Sequence, residues 1–258
     1  MHWVRAVMLA FSTYTRIPMP QIKWDDDAMK LAIAFLPLVG VVVGGAVWLW
    51  RLICIYFEIS AILFAVIALA LPVVITGGIH IDGYCDTSDA LASCLDKGRK
   101  LEILKDPRIG AFALIRFCVY TLINFGLLYE LYMREYHTGF LLLYVVSRCL
   151  AAWSAMTMPN ARKDGMLAAF TENTDRKKAV ITLTILTVLG FCGWGLLTFP
   201  YGFSGFALCI PVTVWYRRMA LKQFGGVTGD TTGYYLQIIE LTLIAGVLVG
   251  GMLWHIFY

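Results

Sequence analysis

Three aspartates, Asp82, Asp86 and Asp89, stand at i, i+4 and i+7 in the segment that begins Gly77-Gly78-Ile79-His80-Ile81 and continues through Gly83. On a helix advancing about 100° per residue they fall within an arc of roughly 60°. Three carboxylates on one face repel one another unless a cation neutralises them. Hard divalent cations such as Mg²⁺ prefer oxygen ligands and commonly bridge a few carboxylates to substrate phosphates. A solvated acidic helix face would contain the same residue types. The spacing beside Gly77, Gly78 and Gly83 favours a metal site made by Asp82, Asp86 and Asp89, with His80 as a neighbour rather than a ligand.

Basic and glycine-rich groups recur in other loops. Lys105 and Arg108 precede an apolar run and suit phosphate, although flanking charge alone would explain them. Arg162 lies in Ala161-Arg162-Lys163-Asp164-Gly165 after another such run. The stretch Gly225-Gly226-Val227-Thr228-Gly229-Asp230 reads either as a flexible turn or as a loop whose backbone N–H groups approach a phosphate. Asp230, Gly233, Gln237 and Glu240 then continue at helical spacing, carrying polar groups into an apolar segment. Carboxylates at such depth default to a functional reading. Arg116 and Arg148 also fall inside apolar runs and need partners, for which Glu240, Asp230 and substrate phosphate are the options.

The elements that must position these groups are membrane helices. The 258 residues are 60% hydrophobic and only 15% charged. A soluble domain is about 45–50% apolar and about 25% charged. Runs long enough for about 30 Å of hydrocarbon are Leu31–Trp50, Ala61–His80, Ile109–Met133, Gly139–Met158, Ala179–Phe199, Gly202–Tyr216 and Tyr234–Trp254. The sixth is short. Of the 21 Lys and Arg, 17 lie before the first run or in alternate loops after it. That alternation predicts an all-α bundle of about seven transmembrane helices, with the N-terminus and the polar loops in the cytoplasm. We expect one catalytic domain over 1–258, with 1–30 an interfacial segment and 81–108 a cytoplasmic loop carrying the aspartates. Ala6–Thr15 reads as an amphipathic entry helix, since it is too short to span and has no cleavage site. The seven scattered cysteines and four dispersed histidines form no zinc or disulfide framework.

Six motifs in order resemble the cobalamin synthase family, the adenosylcobinamide-GDP ribazoletransferases. They are Thr15-Arg16-Ile17-Pro18-Met19-Pro20; Pro37-Leu38-Val39-Gly40 with Gly44; Thr76 through Gly83 with Asp86 and Asp89; Arg108-Ile109-Gly110; Ser147-Arg148; and Gly225-Gly226 through Thr228-Gly229-Asp230, with Gly233 and Glu240. Departures are Cys85 for the family's usual alanine, Ala90 for glycine, and Asn124 where many members carry lysine. None removes an acidic residue.

The resemblance implies a Mg²⁺-dependent phosphotransferase of the cytoplasmic membrane. Adenosylcobinamide-GDP and α-ribazole, or its 5′-phosphate, would be the substrates and GMP the leaving product. Asp82, Asp86 and Asp89 would hold Mg²⁺, and one of them or Asp230 would accept a proton. The substrate-binding set would be His80, Lys105, Arg108, Arg148, Arg162, Gly225, Gly226, Thr228, Gly229 and Glu240. Membrane lipid is an expected partner, nucleic acid is not, and self-association or association with other corrinoid-assembly enzymes is open. The rival readings are a CDP-alcohol phosphotransferase, whose Ala-Arg is replaced here by Asp86-Thr87, and a transporter, for which no inverted repeat is visible.

Overall fold

Two successive glycines decide where the aspartates go. Gly77 and Gly78 have φ of +65° and +81°, left-handed values that no helix continues through and that glycine adopts without steric penalty. The expected span Ala61–His80 therefore stops at Thr76. In the computed structural model, which describes residues 2–20, 26–136, 139–172 and 174–257, helix α4 (Ala61–Thr76) meets α5 (Ile79–Ala92) at 94°. The expected loop 81–108 is thus largely helical: α5, then α6 (Lys97–Ile103). Apolar residues on both sides of the break, Ile75, Ile79 and Ile81, hide it in a hydropathy reading.

The other elements are α1 (His2–Tyr14), α2 (Asp26–Ala32), α3 (Leu36–Tyr56), α7 (Ala111–Met133), α8 (Phe140–Thr157), α9 (Met166–Glu172), α10 (Arg176–Leu197), α11 (Gly202–Phe224) and α12 (Gly229–Phe257). The described residues contain no β-strand. The chain is a polytopic helical membrane bundle. Ala28–Tyr56, α7, α8, α10 and α12 are each long and apolar enough to cross a bilayer, while the apolar α4 ends at the 94° bend that turns α5 out of its line. All seven apolar runs are helical over most of their length, the second being interrupted at Gly77-Gly78. The sixth run lies in α11, whose last two turns carry Arg217, Arg218 and Lys222, so its apolar part ends before them. Outer faces, such as Ile181, Ile185 and Leu189 on α10, expose apolar side chains as lipid contact demands.

Close backbone approach holds the bundle together. A Cβ on Gly40 would lie 2.5 Å from the carbonyl oxygen of Tyr144, and one on Gly44 would lie 2.7 Å from Leu141 Cα. The i, i+4 glycines thus let α3 lie directly on α8, as small residues do between membrane helices. Gly40→Val forces these backbones apart and should cost about 1–3 kcal/mol. Thermal unfolding in detergent checks this, and an unchanged midpoint would contradict it.

At its 13 residues, α1 is about 20 Å long, too short to span. Its Ala6, Leu9 and Ala10 are buried with Ala28 and Ala32 of α2 and Phe170 of α9, while Trp3 and Val4 face outward. The chain then crosses to the α4–α5 break, where the Arg16 N–H donates to the Ile75 carbonyl at 2.8 Å.

Candidate active site

The acidic face of α5 is clamped by two neighbours. On one side, Arg116 of α7 donates to the Ser88 carbonyl at 2.8 Å. On the other, α12 presses its first turn onto α5. A Cβ on Gly83 would lie 2.8 Å from the Asp230 carbonyl oxygen, and one on Gly233 would lie 3.3 Å from His80 Cα. Glycine at 83 and 233 therefore brings Asp230 alongside Asp82 and Asp86. The ring of Tyr84 stacks on Tyr234 at 5.2 Å and fixes the register.

Arg162 arrives through backbone pairing. Val227 N–H donates to the Pro159 carbonyl and Ala161 N–H donates to the Val227 carbonyl, both at 2.9 Å. A side chain on Gly226 would strike Pro159. This short bridge places the Arg162 guanidinium with one Nη 3.4 Å from an Asp230 carboxylate oxygen. Its Nε and other Nη are buried without a hydrogen-bond partner among the described residues. Thr228 and Thr231 cap the start of α12 reciprocally: Thr228 N–H donates to Thr231 Oγ1 at 2.8 Å, and Thr231 N–H donates to Thr228 Oγ1 at 3.1 Å.

These groups border a cavity of about 180 Å³. Asp82, Asp230, Arg162, His80 and Tyr14 line it, with Gly229 and Met166. The Tyr14 and His80 rings stack at 6.2 Å. Tyr14 is absent from the residues the sequence singles out. It precedes Thr15-Arg16, but the fold that folds it back onto α5 is not visible in the spacing.

Asp86 sits among unneutralised charge. Its carboxyl is pushed up to about 7, first by burial and then by Asp82, Asp230 and Asp89. Among the described residues no Lys or Arg forms an ion pair with Asp82, Asp86 or Asp89. These three and Asp230 are the groups that could hold a hard cation. Among the described residues, no three Asp, Glu, His or Cys side chains converge into a ready metal cage.

Other expected phosphate ligands are already engaged. Lys105 pairs with Asp164 at 2.5 Å on the surface. Arg108 makes two bonds to Asp106, at 2.9 and 2.7 Å, and its side chain is 86% exposed. Arg148 and Glu240 bond each other at 2.7 Å deep in the bundle, with 1% and 5% side-chain exposure. The expected backbone cradle at 225–228 is committed too. Gly225 and Gly226 N–H groups donate to the Leu221 and Ala220 carbonyls, Val227 to Pro159, and Thr228 to Thr231. The glycines serve approach and turning: Gly225 has φ of +81° and ends α11.

A sequence model of the Cobalamin-5-phosphate synthase family matches residues 6–249. The chain belongs to this family. It is 36% identical over 249 residues to the adenosylcobinamide-GDP ribazoletransferase of Lachnoclostridium phytofermentans, covering 96% of this chain and 94% of that one. The protein of the same name from Clostridium botulinum strain Alaska E43 is 31% identical over 243 residues, covering 92% and 94%. The one from Acinetobacter baumannii is 33% identical over 216 residues, covering 83% and 84%. No solved structure matches. As a cobalamin-5-phosphate synthase family member, the chain is a membrane-embedded transferase of cobalamin biosynthesis, as the ordered motifs lead one to expect.

Proposed function

We propose that the chain transfers the adenosylcobinamide phosphate group of adenosylcobinamide-GDP to α-ribazole, or to its 5′-phosphate, and releases GMP. The observation that carries this reading is one cavity lined by Asp82, Asp230 and the two unpartnered Arg162 nitrogens, in a chain whose relatives bear that activity's name. The attacking hydroxyl oxygen bonds the phosphorus nearer the corrinoid. The bond from that phosphorus to the bridging oxygen of the pyrophosphate breaks, and GMP leaves with that oxygen. The hydroxyl proton passes to a carboxylate, Asp230 or one of the three α5 aspartates. Arg162 offers its free N–H groups to a phosphate oxygen and holds Asp230 in place. Lys105, Arg108 and Arg148 have partners elsewhere, so phosphate binding rests on Arg162.

The donor set suits Mg²⁺: oxygen ligands alone, a raised Asp86, and no ion-paired Lys or Arg on α5's acidic face among the described residues. A cation held by one or two carboxylates and completed by substrate phosphates needs no preformed cage, and that is how Mg²⁺ is usually bound. When bound there it would neutralise pyrophosphate charge and ease departure of the phosphate. Because Asp86 keeps its proton below about 7, binding must displace it in acid. Affinity for Mg²⁺ should fall about tenfold per pH unit below 7 and level off above 8. Titration calorimetry from pH 6 to 8 checks the sign, and a flat profile would contradict it.

The alternation of Lys and Arg supports a cytoplasmic N-terminus and a site on the cytoplasmic face of the cytoplasmic membrane. Positional labelling tests the chemistry. With ³²P on the phosphorus nearer the corrinoid, the label should stay in the cobamide. Label appearing in the nucleotide product would overturn the proposed attack.

A further inference from the structure

A second cavity lies apart from the aspartates, and none of its lining residues borders the aspartate cavity. It is a groove of about 670 Å³ between α10 and α11, floored by Leu150 and Trp153 of α8. That is within the roughly 300–1,000 Å³ of specific ligand sites. Val188 and Phe191 form one wall, and Phe206 and Ile210 the other. The two helices close at the α10–α11 turn, where a Cβ on Gly195 would touch the Phe203 ring at 3.3 Å. Away from that turn the groove opens between them. From Phe203 to Arg217 the groove follows α11 for about 20 Å, more than one leaflet of a ~30 Å hydrocarbon core.

The far end is polar and cationic. Arg217 donates to Thr157 Oγ1 at 2.6 Å, and its guanidinium carbon lies 5.2 Å from the centre of the Trp153 ring. Trp153 in turn donates its indole N–H to Thr184 at 3.2 Å. Among the described residues no carboxylate forms an ion pair with Arg217, Arg218 or Lys222. The remaining Arg217 N–H groups are available for an anion. An apolar slot of leaflet depth ending in an indole and a guanidinium has the polarity of a lipid: chain inward, charged head at the boundary. Basic pockets between membrane helices take anionic head groups in this way.

We infer that this groove binds one acyl chain of an anionic phospholipid, with the lipid phosphate on Arg217. The site is separate from the aspartate cavity and does not depend on the reaction assigned to it. Native mass spectrometry of protein released from vesicles of phosphatidylcholine and phosphatidylglycerol tests it. The wild type should retain phosphatidylglycerol in preference to phosphatidylcholine. Arg217→Gln should weaken phosphatidylglycerol retention about fivefold, the equivalent of roughly 1 kcal/mol per basic side chain near the surface. Val188→Trp fills the slot from a half-exposed position and should abolish retention of both lipids, with helical content and melting unchanged. Equal retention of the two lipids by the wild type, or unchanged retention in either variant, would overturn the inference. So would a dimer that buries the groove and that Val188→Trp dissociates.

Discussion

Replacing Asp86 by Asn should lower turnover by about 10³-fold while leaving the metal-free protein at least as stable as the parent. The two halves of this expectation come from the same observation. Asp86 is pushed up to about 7 because burial and three neighbouring carboxylates oppose its charge. Removing that charge relieves repulsion within the apo protein. It also removes the group through which the acidic face best serves a phosphate transfer, and loss of one preorganised electrostatic contact costs about 10²–10³ in rate. Asn keeps the shape, so packing of α5 between α7 and α12 is preserved. Activity is read by product formation and stability by thermal unfolding without metal. A rate within tenfold of the parent would take Asp86 out of the site. A large drop in melting temperature would mean the aspartate serves the fold.

The second large effect concerns Arg148 and Glu240. Their 2.7 Å contact is buried, and Ser147 Oγ donates to the same Glu240 oxygen at 3.2 Å. Removing one member of a buried pair strands the other charge and typically costs 3–5 kcal/mol. Arg148→Leu should therefore destabilise the bundle by about that amount. The double variant Arg148→Leu with Glu240→Leu should recover most of the loss, because a matched apolar pair needs no compensation. Unfolding in detergent measures both. If Arg148→Leu instead leaves stability unchanged and raises the substrate KM, the arginine binds phosphate and the structural assignment fails.

How far the sequence revealed this arrangement varies by residue. The aspartate triplet was legible because 3.6-residue periodicity alone puts Asp82, Asp86 and Asp89 on one face. The apolar runs were legible because hydrocarbon thickness sets their length. Glu240 was among the partners open to Arg148, and spacing could not choose it over Asp230, because that choice depends on where α8 and α12 pack. The turn at Gly77-Gly78 is not visible in the sequence, because hydropathy continues through Ile79 and Ile81 while the break lies in two backbone dihedrals. The 225–229 loop looked like a phosphate cradle from its glycines. The amides of 225–228 are engaged by Ala220, Leu221, Thr231 and distant Pro159, and no local pattern shows the last of these. Lys105 and Arg108 have the right chemistry for phosphate but the wrong neighbours, Asp164 and Asp106, both exposed.

The most direct test of the central claim is turnover of detergent-solubilised protein. Adenosylcobinamide-GDP is supplied with α-ribazole or its phosphate, with and without Mg²⁺, and GMP and cobamide are followed by chromatography. Both products are expected in equal amounts, only with Mg²⁺, and without any membrane gradient. No product from folded protein, or equal product in the presence of a chelator, would contradict it.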